Sequence, residues 1–363
     1  AIMLFSLAGI IAMVSFYNLT MLFIGIEIMS VSLYILAGIK KSDFSSNEAA
    51  LKYFLMGAFS TGFLLLGITF IYGSTGSFSL EAISNWVLDH PKDITPMFYT
   101  GVLLMIVGLC FKVGAAPFHF WTPDVYEGSP TLITAFMSTV VKTAGFAAFL
   151  RLFSACFAPL SDFWVPVLLT ITIATLFIGN ITALYQHSFK RMLAFSSISH
   201  AGYLLFAIVG LGASSGSSVL TYAAAYSIAS IIAFGALILV QQQSGSDSFE
   251  SFNGLGKKNP FLALVLTIAM LSLAGIPLTA GFIGKFYMFT TALRHYQVWM
   301  VILAVINAII SIFYYFRVIV AMYFRDAERT ELVVPVYYKL VLGFSALATI
   351  LIGVYPEVIS KFF

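Results

Sequence analysis

The segment between Met192 and Ser246 contains no aspartate, glutamate, lysine or arginine. The whole chain shows the same bias, since 60% of its residues are hydrophobic and 9% are charged, against about 25% charged residues in a typical soluble domain. A soluble fold needs polar surface to face water, and this chain lacks it. Lipid is therefore its main solvent, and the sequence predicts an all-α, polytopic bundle of transmembrane helices.

Apolar windows long enough to span a bilayer recur along the chain. A hydrocarbon core of about 30 Å takes roughly 20 apolar residues in helix. Eleven such windows predict eleven spans, at residues 1–17, 18–39, 50–73, 98–121, 130–153, 163–186, 190–212, 217–241, 261–292, 297–324 and 336–358. The segment 78–90 instead alternates apolar and polar residues, which favours a helix lying at the membrane interface.

Two of these windows contain helix breakers. The window at 261–292 would be about 50 Å long as one helix, which exceeds the hydrocarbon thickness. We therefore expect a break near Pro277. The window at 98–121 carries Gly114 and Pro117. Two interrupted spans, five helices apart, are typical of repeats with broken helices at the functional centre.

An odd repeat length places the second copy upside down relative to the first. The spacing of the breaks thus predicts a first five-helix repeat over residues 1–153 and an inverted five-helix repeat over 163–324. Residues 325–363 form a C-terminal loop and the last transmembrane helix in this interpretation.

Five ionisable residues fall within the predicted spans: Glu27, Lys112, Lys142, His200 and Lys285. A charged side chain at mid-bilayer costs about 2.5–3.5 kcal/mol on insertion scales. We therefore expect these side chains to face inward, toward one another and toward water. A carboxylate beside a lysine lowers the cost, and Glu27 with Lys112 is the first candidate pair.

These residue types suit proton transfer. Desolvation disfavours a buried ammonium group, and a nearby carboxylate favours it again, so a small rearrangement can make an amine hold or release its proton. An imidazole suits a relay position because its unperturbed pKa is near 6.5. We predict a proton relay through the five residues, with water held by hydroxyls of Ser196, Ser197, Ser199 and Tyr203. A structural ion pair at Glu27 and Lys112, and a helix-bonding role for His200, remain open.

Several other chemistries find no support. The small net charge gives no indication of nucleic-acid binding, and no nucleotide-binding loop is present. Cys110 and Cys156 lie in apolar stretches without the spacing of metal or iron–sulfur ligands. We expect no cofactor and no metal in this chain, so its energy must come from an ion gradient or from partner subunits.

Three motifs resemble a known family. They are GLCFKVGAAPFHFWTPDVYEGSPT at 108–131, KRMLAFSSISHAGY at 190–203 and GIPLTAGFIGKF at 275–286. The first resembles the antiporter-like membrane subunits of respiratory complex I and of Mrp cation/proton antiporters. The PDVYEG run, the lysine at 285 and the single span that follows are similar to subunit N of complex I, the NADH–quinone oxidoreductase.

This resemblance implies a fold of fourteen helices with two inverted five-helix repeats, each with a broken helix. Eleven spans are visible, so the first three family helices are expected to be absent from this chain. The family's glutamate falls on Glu27, its histidine on His200 and its three lysines on Lys112, Lys142 and Lys285. The flavin, the iron–sulfur clusters and the quinone belong to partner subunits of the enzyme.

The implied function is proton translocation in the membrane arm of a complex I-type enzyme, coupled to quinone reduction elsewhere. The implied partners are other membrane-arm subunits, including neighbouring antiporter-like subunits, together with lipid, protons and water. The implied location is a bacterial inner membrane or an organelle inner membrane. Two alternatives stay open: an Mrp-type cation/proton antiporter subunit without a redox partner, and a purely structural membrane-arm subunit.

Overall fold

The computed structural model describes residues 1–91, 94–295, 298–326 and 332–357. Within these ranges the chain is helical. The α-helices are α1 (Ile2–Val14), α2 (Leu19–Ala37), α3 (Phe44–Thr75), α4 (Leu80–Asp89), α5 (Pro96–Val113), α6 (Trp121–Gly128), α7 (Thr131–Phe136), α8 (Lys142–Leu152), α9 (Ser161–Leu184), α10 (Phe189–Val209), α11 (Ser215–Ser244), α12 (Leu255–Lys258), α13 (Pro260–Ala274), α14 (Ala280–His295), α15 (Val298–Phe324) and α16 (Val336–Val354).

Every predicted window contains helix, and the prediction of an all-α transmembrane bundle is confirmed. Eight helical runs in the described ranges are long and apolar enough to cross a membrane. One of these runs, at Thr131–Leu184, covers most of two successive predicted windows, and α1 and α13 are shorter apolar helices. Residue 297, residue 358 and parts of the predicted C-terminal segment 325–363 lie outside the described residues.

The segment predicted to lie at the interface folds as the short helix α4. Leu80, Ile83 and Val87 are buried along one side of it, while Leu88 on another side is 58% exposed. This one-sided burial is the amphipathic pattern that the sequence shows. Its position along a membrane surface stays a prediction.

The first compact unit comprises Ala1–Pro130 and Val140–Thr175. It begins with a hairpin of α1 and α2, in which Asn18 caps α2 by accepting a hydrogen bond from the Met21 amide at 2.7 Å. The two helices touch backbone to backbone: a Cβ on Gly25 would lie 2.5 Å from the Met13 nitrogen. Helix α3 then packs on α2, α5 and α6.

The second compact unit comprises Thr131–Thr139 and Leu176–Phe363. Helix α10 is the buried element of this unit, since all of its residues except Arg191 are buried. It packs on α11, α14 and α15, and α11 in turn packs on α13, α14 and α16. The inverted five-helix repeats at 1–153 and 163–324 stay predictions, because compactness alone does not reveal repeat symmetry.

Both predicted helix breaks are confirmed, one in each unit. Helix α5 ends at Val113 and is followed by Gly114 with φ +72°; α13 ends at Ala274 and is followed by Gly275 with φ +84°. Each glycine N–H bonds back to the last turn of its helix. A left-handed residue of this kind ends a helix at little cost only when it is glycine.

Candidate functional site

In the first unit Lys112 reaches Ser30 of α2, one helical turn from the predicted residue Glu27. Glu27 and Ser30 lie three positions apart on α2 and therefore share one face. Lys112 lies in the last turn of α5. Its Nζ donates a hydrogen bond of 2.5 Å to the Ser30 hydroxyl, which itself donates to the Ile26 carbonyl at 2.5 Å. We call Glu27, Ser30 and Lys112 the carboxylate cluster.

The pairing of Glu27 with Lys112 stays a prediction. The hydrogen bond from the Lys112 amine goes to Ser30. The Glu27 Oε1 atom is buried without a hydrogen-bond partner among the described protein atoms. A buried carboxylate oxygen in that condition is costly and is typical of a functional site.

The break after α5 leaves Lys112 in the last turn of that helix, where the final carbonyls have no acceptor role within the helix. The Phe111 carbonyl is one of them, and it accepts a hydrogen bond of 2.9 Å from the Trp121 indole of α6. The indole thus joins the two helices on either side of the break. The C-terminal end of a helix carries partial negative charge, so it favours a cation such as the Lys112 ammonium.

Lys142 is buried, with 4% of its surface exposed. It is the first residue of α8 and follows a π-helical turn at Met137–Val141. Single π turns inside α-helices are rare and occur often at functional sites. Both the burial of Lys142 and the π turn before it are therefore features typical of a functional residue.

Lys285 in the second unit reaches back across the helix break. Its Nζ donates to the Leu273 carbonyl at 3.0 Å and to the Ala274 carbonyl at 2.8 Å. These are the last two carbonyls of α13, which have no partner within the helix itself. The amine also lies 4.9 Å from the centre of the Tyr203 ring. Lys285 thus caps the half-helix that precedes it.

His200 on α10 is held between two tyrosines. Its Nδ1 lies 2.7 Å from the Tyr222 hydroxyl of α11, and its Nε2 lies 3.0 Å from the Tyr315 hydroxyl of α15. The Tyr315 hydroxyl is also hydrogen-bonded to Ser196. We call Ser196, His200, Tyr222 and Tyr315 the histidine chain.

One small cavity brings His200 and Lys285 together. Its volume, counted as the space open to the centre of a water molecule, is about 10 Å³, which suits roughly a single water. The side chains and backbone around it include His200, Tyr222, Tyr226, Ser272, Gly281 and Lys285. Two of the predicted site residues therefore line the same cavity in the second unit.

Sequence reasoning missed Ser30, Tyr222 and Tyr315. The position of Ser30, one turn after Glu27, was the available signal for that residue. The two tyrosines had none, because tyrosines in apolar spans usually serve as core residues. Of the hydroxyls predicted to hold water, Ser199 donates to the Ser196 carbonyl at 2.9 Å and Tyr203 to the Ala304 carbonyl at 3.3 Å.

Metal binding finds no support in the part of the chain that the structure describes. No group of three or more His, Cys, Asp or Glu side chains is placed there to hold an ion. Cys110 and Cys156 are buried free thiols. The groups described at the site are buried amines, a carboxylate, an imidazole and hydroxyls.

Comparison with known proteins identifies one family. Residues 17–311 match the family model described as NADH:quinone oxidoreductase/Mrp antiporter, TM. The chain is 44% identical to NADH-quinone oxidoreductase subunit N of Cytophaga hutchinsonii, over 99% of this chain and 78% of the relative. It is also 44% identical to the subunit N of Trichlorobacter lovleyi, over 99% of this chain and 75% of that protein.

Solved structures give the same result. Respiratory complex I from Thermus thermophilus with bound aureothin matches with a TM-score of 0.86 and 35% identity, over 99% of this chain and 78% of the matched chain. The Mrp complex from Dietzia matches with a TM-score of 0.88 over 98% of this chain and 75% of that chain, but at 19% identity. The second likeness shows the fold alone.

Proposed function

Because this chain belongs to the NADH:quinone oxidoreductase/Mrp antiporter transmembrane family and to its subunit N branch, we propose that it translocates protons in the membrane arm of a complex I-type NADH–quinone oxidoreductase. Its relatives carry the name NADH-quinone oxidoreductase subunit N. The flavin, iron–sulfur clusters and quinone of such an enzyme are assigned to partner subunits. The membrane is assigned as the bacterial inner membrane, with other membrane-arm subunits as neighbours.

The observation that carries this proposal is the burial of a lysine at each of the two helix breaks. Lys112 and Lys285 are each less than one-tenth exposed. Each amine donates hydrogen bonds to polar groups that can reorient when the amine gains or loses a proton. For Lys112 this group is the Ser30 hydroxyl, and for Lys285 these groups are the last carbonyls of α13. Such sites cost free energy in a membrane protein and mark ion pathways.

The chemistry proposed for the chain is stepwise loading and release of protons along Glu27, Lys112, Lys142, His200 and Lys285. In the carboxylate cluster, the negative charge of Glu27 favours the protonated form of Lys112. A shift of Glu27 away from the amine would favour release, because desolvation then acts alone. Redox chemistry elsewhere in the enzyme supplies the energy for that shift.

The Mrp-type alternative shares the fold but gains no residue-level support from a structure that is 19% identical. Purification of the chain from its membrane separates the two functions. A complex I-type subunit co-purifies with NADH–quinone reductase activity and with flavin-containing partners. An Mrp-type subunit shows sodium-dependent proton exchange without that activity.

The proposal predicts that Lys112→Ala and Glu27→Ala each reduce proton translocation by about tenfold or more, because proton-transfer groups typically contribute at least that factor. Membrane vesicles with the assembled complex are energised with NADH, and acidification is followed with a quenched fluorescent dye. Assembly is measured in the same membranes by native electrophoresis. Loss of assembly in both variants would instead support a purely structural ion pair.

Ser30→Ala tests the hydroxyl that accepts the hydrogen bond of the Lys112 amine. Without it, the Lys112 amine can turn to the unpartnered Glu27 oxygen and form a direct ion pair, which holds the proton more tightly. We expect proton translocation to fall roughly two- to fivefold, a smaller effect than that of losing either charge. Ser32→Ala is the matched control, since Ser32 lies on the same helix and its hydroxyl donates to the Ile28 carbonyl at 2.8 Å. Equal rates in the two variants would remove Ser30 from the mechanism.

A further inference from the structure

Both ring nitrogens of His200 are engaged by phenol hydroxyls, and this restricts how the hydrogen bonds can be arranged. A neutral imidazole has one nitrogen that donates and one that accepts. Of Tyr222 at Nδ1 and Tyr315 at Nε2, one must therefore donate to the ring while the other accepts from it. The two arrangements differ only in which nitrogen carries the proton.

The choice of tautomer also fixes the direction of the hydrogen bonds made by the two tyrosine hydroxyls. When Tyr315 accepts from Nε2, its own proton is free to be donated to Ser196; when it donates to Nε2, it can accept from Ser196. At the other end, Tyr222 lies on the cavity that Lys285 also lines. The histidine chain thus has one end at this cavity and the other at the Ser196 hydroxyl. In each of its two arrangements, all the donated hydrogen bonds point toward the same end.

We propose that the histidine chain is a two-state hydrogen-bond wire that moves a proton between the Lys285 cavity and Ser196 while the imidazole stays neutral. This inference rests on the proposed function and adds to it two residues, Tyr222 and Tyr315, and a mode of transfer. In this mode His200 transfers the proton by changing its tautomer and does not become positively charged.

The transfer balances atom by atom. A proton enters at the Tyr222 oxygen from the amine or from a water in the cavity, and the original Tyr222 proton moves to Nδ1. The Nε2 proton moves to the Tyr315 oxygen, and the original Tyr315 proton moves to the Ser196 oxygen, whose own proton passes onward. One proton has crossed, and the ring has changed tautomer. Rotation of the hydroxyls and of the imidazole ring then restores a ring N–H on the Tyr315 side and a bare ring nitrogen on the Tyr222 side, ready for the next transfer.

Burial explains why a neutral route is favoured over an imidazolium. His200 is 3% exposed, and the rings of Tyr203, Tyr222 and Tyr226 surround it. A charged ring would lose nearly all of its hydration there, and it would face the Lys285 ammonium across the shared cavity. A wire of neutral groups avoids both costs.

Substituting each tyrosine in turn is expected to fix His200 in opposite tautomers. A buried N–H without an acceptor costs more than a ring nitrogen that merely lacks a donor. In Tyr315→Phe the proton should therefore rest on Nδ1, where Tyr222 remains, and in Tyr222→Phe on Nε2, where Tyr315 remains. The wild-type chain should show both forms in exchange.

Nitrogen NMR of the full chain, labelled at histidine and reconstituted in lipid vesicles, measures this directly. The chain has five histidines, and His200→Gln identifies the signal of interest. Opposite tautomers in the two variants support the wire. The same single tautomer in the wild type and in both variants would overturn it, because a fixed proton cannot alternate.

Proton translocation by the assembled complex provides the second measurement. Tyr222→Phe and Tyr315→Phe should each reduce it by about tenfold. Tyr53→Phe is the control: Tyr53 is a buried tyrosine of α3 in the first compact unit and is not a member of the histidine chain. It should stay within about twofold of the wild type, because its hydroxyl takes no part in the wire.

The translocation rates of these variants test the hydrogen-bond wire separately from the proposed proton-translocating function. If Lys112→Ala abolishes translocation but Tyr222→Phe and Tyr315→Phe match Tyr53→Phe, the wire is wrong and the proposed function stands. If Lys112→Ala, Glu27→Ala and both tyrosine variants leave translocation unchanged in assembled complex, the proposed function itself fails.

Discussion

Replacement of Lys285 by arginine is expected to stop proton translocation while the complex still assembles. The Lys285 amine donates to the Leu273 and Ala274 carbonyls, and a guanidinium keeps both the positive charge and the N–H donors that cap this helix end. Arginine, however, does not lose its proton in proteins. The substitution therefore keeps the electrostatic cap and removes the step of proton release.

NADH-driven acidification of membrane vesicles measures the effect, which should be a loss of about tenfold or more. Lys285→Met completes the comparison: it removes the cap as well, so both translocation and the amount of assembled complex should fall. Lys257→Arg is the matched control, because Lys257 is exposed and pairs with Asp326 at 2.6 Å. Normal translocation by Lys285→Arg in assembled complex would show that this lysine holds the helix break and transfers nothing.

The helices and their breaks could be predicted from the sequence, because lipid permits few backbone conformations. A chain in hydrocarbon must satisfy its N–H and C=O groups internally, so each apolar window becomes a helix. Gly114 and Gly275 could be recognised as interruptions since left-handed backbone favours glycine, and both adopt it. The burial of Lys112 and Lys285 follows from the same cost of charge in lipid.

The connections between helices were not open to prediction. Tyr222 and Tyr315 lie 22 and 115 residues from His200 along the chain, and nothing local distinguishes them from core aromatic residues. The π turn before Lys142 likewise has no signature in its residues. The hydrogen bond between Lys112 and Ser30 depends on how α2 and α5 are rotated about their axes, which hydropathy does not specify.

Gly281→Ala is expected to have the largest effect on folding. Gly281 lies in the first turn of α14, where its N–H donates to the Ser272 hydroxyl at 3.1 Å. A Cβ at this position would overlap the Ser272 carbonyl oxygen, which is a backbone atom of α13. Because that oxygen cannot move without disrupting α13, the two half-helices must separate, and the cost should exceed the usual 1–3 kcal/mol of overpacking.

Separation of the half-helices would also remove the geometry that lets Lys285 cap α13, so the fold and the proton site depend on the same contact. We expect the assembled complex to fall below about a tenth of the wild-type amount, as measured by native electrophoresis and immunoblotting of membranes. Gly216→Ala is the matched control, since a Cβ there meets no atom within 4 Å and α11 gains a better helix former. Assembly of Gly281→Ala at the wild-type level would mean that α13 and α14 do not cross in backbone contact, and that the reach of Lys285 to the Leu273 and Ala274 carbonyls needs another explanation.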